Sequence, residues 1–105
     1  MLFAGADARL KRAAGCIAHG DIVGRSEAIS ETVSIVGGLQ ASLDLDQGGD
    51  LAENLESLYD YMQRRLFRAN ADNDLGAVEE VMDLIHTLRQ AWDAISDEVL
   101  VTANA

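Results

Sequence analysis

The sequence predicts an all-α fold, an antiparallel up-down four-helix bundle, and three observations carry that prediction. Proline is absent and aromatics make up 5% of the 105 residues, while Ala, Leu, Asp and Glu abound, a composition that favours helices over a sheet. Apolar residues recur at alternating steps of three and four through four separate segments, which is helical spacing. The connections between segments are only a few residues long, so a chain leaving one helix has no length to return to its start and neighbours must run antiparallel. A chain of this length is expected to form one domain, residues 1–105, around a single core.

In the first segment Phe3, Ala6, Leu10, Ala13 and Ile17 form one apolar stripe that stops at "HGD". Gly20 reads as the residue that lets the chain leave the helix and Asp21 as the cap of the next. In the second, Ile22, Ile29, Val36 and Leu43 fall every seven residues with Val33 and Leu39 beside them, which predicts a packing seam. Gly37 and Gly38 inside this helix weaken it by about 1 kcal/mol each relative to alanine. They read as a tolerated blemish or a close helix contact in preference to a functional hinge.

In the third segment Leu51, Leu55, Leu58, Met62, Leu66 and Ala69 make the stripe, with Tyr59 at its edge. Tyr61 falls well off that stripe beside Asn54, Arg65 and Arg68, and Phe67 leans away on the other side. The fourth is the most regular: Val78, Val81, Ile85, Leu88, Trp92, Ile95 and Val99 follow a capping candidate at Asp74. Trp92 is therefore expected in the core.

The corner between the second and third helices, "DLDQGGD" at residues 44–50, has the alternating carboxylates and glycines of a calcium loop. A loop starting at Asp44 puts Leu55 at the twelfth position, where a bidentate carboxylate is required, and a start at Asp46 puts a glycine at the third. The corner reading uses every residue: Gly48 and Gly49 take backbone angles other residues resist, Asp50 places negative charge at the positive end of the next helix, and Glu53 completes a reciprocal cap.

Eighteen acidic residues against eight basic ones give a formal net charge of -10, a field that repels phosphate backbones and anionic lipid. Nucleic acid and membrane surfaces are thus expected to be excluded as partners. Charges at Asp7, Arg9, Lys11 and Arg12 break any signal-peptide core, no apolar run is long enough to span a bilayer, and the lone Cys16 forms no internal disulfide. A cytosolic address follows as the expectation.

Catalytic and metal chemistry find little support. Cys16 and His19 stand three apart on one helix, but two ligands are not a site. Asp83 and His86 share the spacing of a di-metal carboxylate-histidine element, yet lie opposite the apolar stripe of their helix. Ser26, Ser30, Ser34 and Ser57 have no histidine placed to activate them. Neither an enzyme nor a cofactor is expected.

The run from Leu43 to Asn70, "LDLDQGGDLAENLESLYDYMQRRLFRAN", resembles the FliS family, the flagellin-specific export chaperones. The matching elements "SLD", "GGDLAENL", "LYDYM", "RRL" and "AN" occur in order, and "MLFAGADARL", "GDIVGRSEAIS" and "EEVMDLIHTLRQAW" resemble the family's first, second and last helices. The resemblance implies a cytosolic helical bundle that binds the disordered C-terminal segment of flagellin, prevents premature polymerisation and assists delivery to the flagellar type III export apparatus. It implies no catalysis. Composition and spacing alone reach only an acidic helical interaction module, with a metal-binding or structural dimerisation bundle as the alternative.

Family members carry an earlier N-terminal segment, with a tyrosine and a Ser-Pro helix start, that folds over part of the client-binding surface. Its absence here is read as a shortened chain, a misassigned start, or an apolar patch filled by another chain, as in a homodimer. The expected client-binding residues are Asn54, Tyr61, Arg65, Phe67 and Arg68: two rings off the core stripe, flanked by groups that hydrogen-bond a bound backbone or acidic side chains. The competing reading packs both rings at helix edges against arginine side chains or loops.

Overall fold

Glycine and aspartate set the first corner. In the computed structural model, which describes residues 2–46 and 48–104 and the side chains of 3–46 and 48–91, helix α1 (Leu2–His19) ends where Gly20 adopts φ 72°, and the Asp21 N–H closes back on the Cys16 carbonyl at 2.9 Å. Asp21 then caps α2 (Ile22–Ala41), its Oδ1 accepting from the Gly24 N–H at 2.9 Å. One residue releases a carbonyl end and the next satisfies an amide end. Two linking residues leave α2 no course but back along α1.

The second corner runs from Ser42 into α3 (Gly49–Asp72). Asp44 organises it: its carbonyl accepts from the Gly48 N–H at 2.7 Å and its Oδ1 from the Asp46 N–H at 3.2 Å. Only Gly49, at φ 57°, uses the left-handed freedom predicted for both glycines. Gly48 sits at φ -74° and is needed for space, since a Cβ there would lie 2.4 Å from the Ala52 Cβ and 2.6 Å from the Asp44 carbonyl oxygen. The predicted Asp50–Glu53 reciprocal cap does not form, because Gly48 is the N-cap and α3 starts without a side-chain cap; Asp50 does supply the acidic first turn.

At the third corner Asn73 takes φ 55° and returns its N–H to the Ala69 carbonyl, and Asp74 Oδ1 accepts from the Ala77 N–H at 3.2 Å as α4 (Leu75–Asn104) begins. Asn is the non-glycine residue best suited to that backbone region. The predicted capping role of Asp74 is borne out.

Each helix packs on two neighbours, α1 on α2 and α4, and α3 on α2 and α4, so the ring order follows the chain order. The core contains Ala6, Leu10 and Ala13 of α1, Ala28, Ile29 and Val36 of α2, Tyr59, Met62, Leu66 and Ala69 of α3, and Ala77, Val78, Val81 and Ile85 of α4. These are the centres of the predicted stripes with Ala28, Tyr59 and Ala77 added; Phe3, Ile17, Val33, Leu39, Leu55, Leu58 and Leu88 of the stripes are only partly buried against them. Thr32, also fully buried, returns its hydroxyl to the Ala28 carbonyl at 2.8 Å, which spares the core an unpaired polar group.

Four predicted stripe positions move. Ile22 and Leu51 lie in the right register but in the first turns of α2 and α3, and each is 64% exposed. Leu43 falls beyond the end of α2 and is half-buried in the corner. Tyr59, expected at an edge, is core at 5% exposure: at 100° per residue it lies between Met62 and the α2 side of α3. Trp92, Ile95 and Val99 lie outside the described side chains.

Polar ties fasten the corner opposite the α2–α3 turn. Asn70 Oδ1 accepts from Arg25 Nε at 3.0 Å and from Ser26 Oγ at 3.1 Å, while Arg25 Nη1 reaches Asn73 Oδ1 at 2.6 Å. The start of α2 is thereby locked to the end of α3.

Candidate functional site

The outward half of α3 carries all five expected client-binding residues, and helix geometry sorts them onto two edges. At 100° per residue Asn54, Tyr61, Arg65 and Arg68 share the edge facing α4, whereas Phe67 lies roughly 120° away around the helix from Tyr61. The structure thus brings four of the five to one seam and leaves Phe67 apart on the outer surface, 76% exposed.

Within the seam, Tyr61 and Arg65 converge on a residue that sequence reasoning missed. Glu80 of α4 accepts from the Tyr61 hydroxyl through Oε2 at 2.6 Å and from Arg65 Nε through Oε1 at 2.6 Å. Tyr61 remains 39% exposed, and the Arg65 and Glu80 side chains are 34% and 38% exposed. The two bonds, that from Tyr61 foremost, hold the Glu80 carboxyl below its ordinary range; the same carboxylate pushes the Tyr61 phenol and the Arg65 guanidinium up. Arg68, one turn on, forms no ion pair with a described residue.

A second feature also escaped the sequence. Where α1 begins and α2 ends, Phe3, Leu39, Leu43, Leu51, Leu55, Tyr59 and Leu88 line an apolar hollow of about 570 Å³, edged by Ser42, Asp44 and Gly48. Contributions from all four helices make it, so no single stripe announces it. Leu51 gave the one local signal, a stripe residue in a first turn. Such a hollow takes apolar side chains or a short helical segment.

Several other titratable groups are occupied in local contacts. Arg9 pairs with Glu31 at 3.0 Å and Arg12 with Glu27 at 3.1 Å, both across the α1–α2 surface. Cys16 Sγ donates to Asp21 Oδ2 at 3.8 Å, His19 Nδ1 lies 2.8 Å from the Gly15 carbonyl, and His86 Nε2 lies 3.3 Å from Gln90 Nε2. Among the described residues no three His, Cys, Asp or Glu side chains gather as a metal would need, and no helix is long and apolar enough to cross a membrane.

An up-down helical bundle that spends its stripes on the core and turns aromatic and hydrogen-bonding side chains outward from one helix is built as a helical interaction module. Comparison with known proteins makes that class specific. The family model for the flagellar protein FliS matches residues 1–99. The chain is 47% identical over 97 residues to the flagellar secretion chaperone FliS of Salmonella typhimurium, covering 91% of this chain and 72% of that one. It is 38% identical over 96 residues to flagellar secretion chaperone FliSB of Pseudomonas aeruginosa, covering 91% and 76%, and 35% identical over 98 residues to FliS of Vibrio cholerae, covering 93% and 72%. The chain belongs to the FliS family of flagellar secretion chaperones, which are not enzymes.

Proposed function

We propose that this chain binds the disordered C-terminal segment of flagellin in the bacterial cytosol, keeps it from polymerising prematurely, and presents it to the flagellar type III export apparatus. The observation that carries the reading is the outer part of α3, where Tyr61 and Phe67 stay exposed off the buried stripe. Aromatic residues are enriched among those that carry most of an interface's binding energy. The apolar hollow at the start of α1 supports the reading too, since it offers burial to apolar positions of an amphipathic client.

A chaperone of this kind works by competition. Apolar client positions that pair with one another in a filament are sheltered on the bundle, and the entropy lost on ordering the client keeps affinity moderate so that release needs no chemistry. Arg68 supplies a charge for acidic client residues.

Fluorescence anisotropy with a labelled peptide of the flagellin C-terminal segment tests this. Saturable binding is expected, lost by a scrambled peptide and weakened by Tyr61→Ala and Phe67→Ala with melting temperature preserved. A well-folded protein that gives no anisotropy change at any reachable concentration ends the proposal.

A further inference from the structure

Resting on the reading of the α3 face as the client surface, we infer that Glu80 is a positioning residue for binding, fixing Tyr61 and Arg65 so that together they recognise an amide group of the client. Tyr61 gives its only hydroxyl proton to Glu80 Oε2, so its oxygen faces a client as an acceptor. Arg65 gives its Nε–H to Glu80 Oε1, which anchors the guanidinium and leaves the Nη N–H groups as donors.

One acceptor and one fork of donors, held one turn apart on α3, complement the N–H and C=O that an amide displays. The N–H and C=O of one residue in an extended client segment, which point to the same side, and the primary amide of a client Asn or Gln both offer this pair. Remove the carboxylate and the polarity is lost: the phenol regains a free donor, and Arg65 swings free to seek carboxylates.

Positioning also sets affinity. An arginine and a tyrosine already tied to α4 need no ordering when the client arrives, whereas freed side chains must be ordered at the interface. Glu80 sits on a helix packed directly against α3 and is half-exposed, so its substitution leaves the core untouched.

The test compares Glu80→Ala with Glu80→Gln, which remove the same charge but differ in what remains. Glutamine keeps one carbonyl oxygen, which still accepts from Arg65 Nε, but turns an NH2 donor toward the Tyr61 oxygen; alanine accepts from neither. Binding of a flagellin C-terminal peptide is read by anisotropy, beside circular-dichroism melts of each variant and of Tyr61→Ala and Arg65→Ala. Glu80→Ala is expected to bind on the order of tenfold more weakly, Glu80→Gln to recover only the part of that loss owed to anchoring Arg65, and Tyr61→Phe to make the Glu80→Ala effect smaller than in the wild type. If Glu80→Ala binds as the wild type does while Tyr61→Ala and Arg65→Ala weaken binding, the inference fails and the client face stands. Equal weakening by Glu80→Ala and Glu80→Gln reduces the effect to charge and likewise overturns it. If Tyr61→Ala and Arg65→Ala bind normally, the client face itself is wrong.

Discussion

Leu66 and Phe67 are neighbours in the chain, and opposite consequences are expected when each is cut to alanine. Leu66 is fully buried, so its removal forfeits the transfer energy of the side chain and opens a cavity, about 2–5 kcal/mol together. For a chain of this size that lowers Tm by on the order of 10 °C or more. Phe67 is 76% exposed, and only a quarter of its surface is sheltered. Taking a phenylalanine as burying ~200 Å² at most and ~25 cal/mol per Å², that sheltered quarter is worth about 1 kcal/mol as an upper bound. Part of it is regained because alanine is the better helix former.

The assay pairs a thermal melt followed at 222 nm with a titration of the flagellin C-terminal peptide. Leu66→Ala should lose stability and, below its own Tm, keep a client face that still binds. Phe67→Ala should melt within a few degrees of the wild type and bind the peptide weakly. Should Phe67→Ala lose as much Tm as Leu66→Ala, the ring is structural, and separating the α3 stripe from its outer face is unjustified.

Three further outcomes follow from the same packing. Gly38 has open space around a would-be Cβ and Gly37 meets only Gln63 Oε1 at 3.7 Å, so alanine at either should stabilise by about 0.5–1 kcal/mol, whereas Gly48→Ala, forced against the Asp44 carbonyl, should destabilise by about 1–3 kcal/mol in urea melts. Asn70→Ala strips Arg25 and Ser26 of a shared acceptor and should cost about 1–3 kcal/mol in the same assay, with Asn70→Asp milder. Glu80 has a folded pKa below its unfolded one, so its charge adds stability that is fully present above the ordinary glutamate value of about 4.3 and vanishes as pH falls through the depressed value. Tyr61 is raised, so its contribution is complete below about 10 and is lost as pH climbs through the raised value. The Tm gap between wild type and Glu80→Gln should therefore be flat near neutrality and close below pH 4, where protonated Glu80 resembles glutamine.

The fold was legible wherever the information was local. Gly20, Asp21 and Asp74 act within four residues of themselves, and each does in the structure what its position in the chain suggests. Periodicity was reliable for direction and silent about depth: Ile22 and Leu51 point along their stripes yet stay exposed in the first turns of their helices, which spacing along one helix does not register. The same limit hid the partner of Tyr61 and Arg65. Glu80 stands 19 and 15 residues away on a different helix, and nothing in the spacing of α3 names an acceptor there. Gly48 shows a third kind of blindness, since glycine in a corner suggests unusual angles, while the need here is room for a carbonyl.

The division of labour on α3 explains how one helix holds up a bundle and still offers a surface. Its stripe, from Tyr59 through Met62 and Leu66 to Ala69, is spent on α2 and α4, and both flanks are tied by hydrogen bonds, Asn70 to α2 and Tyr61 with Arg65 to α4. What remains outward is free of folding duties and holds an aromatic ring that favours self-association. A formal net charge of -10 on 105 residues opposes that association through repulsion between copies. The repulsion acts over about a Debye length, ~8–10 Å in physiological salt, and so discourages approach of another acidic bundle while an amphipathic segment with little net charge meets no such barrier. On the proposed client reading, acidity and the exposed ring act together, the first keeping the second available.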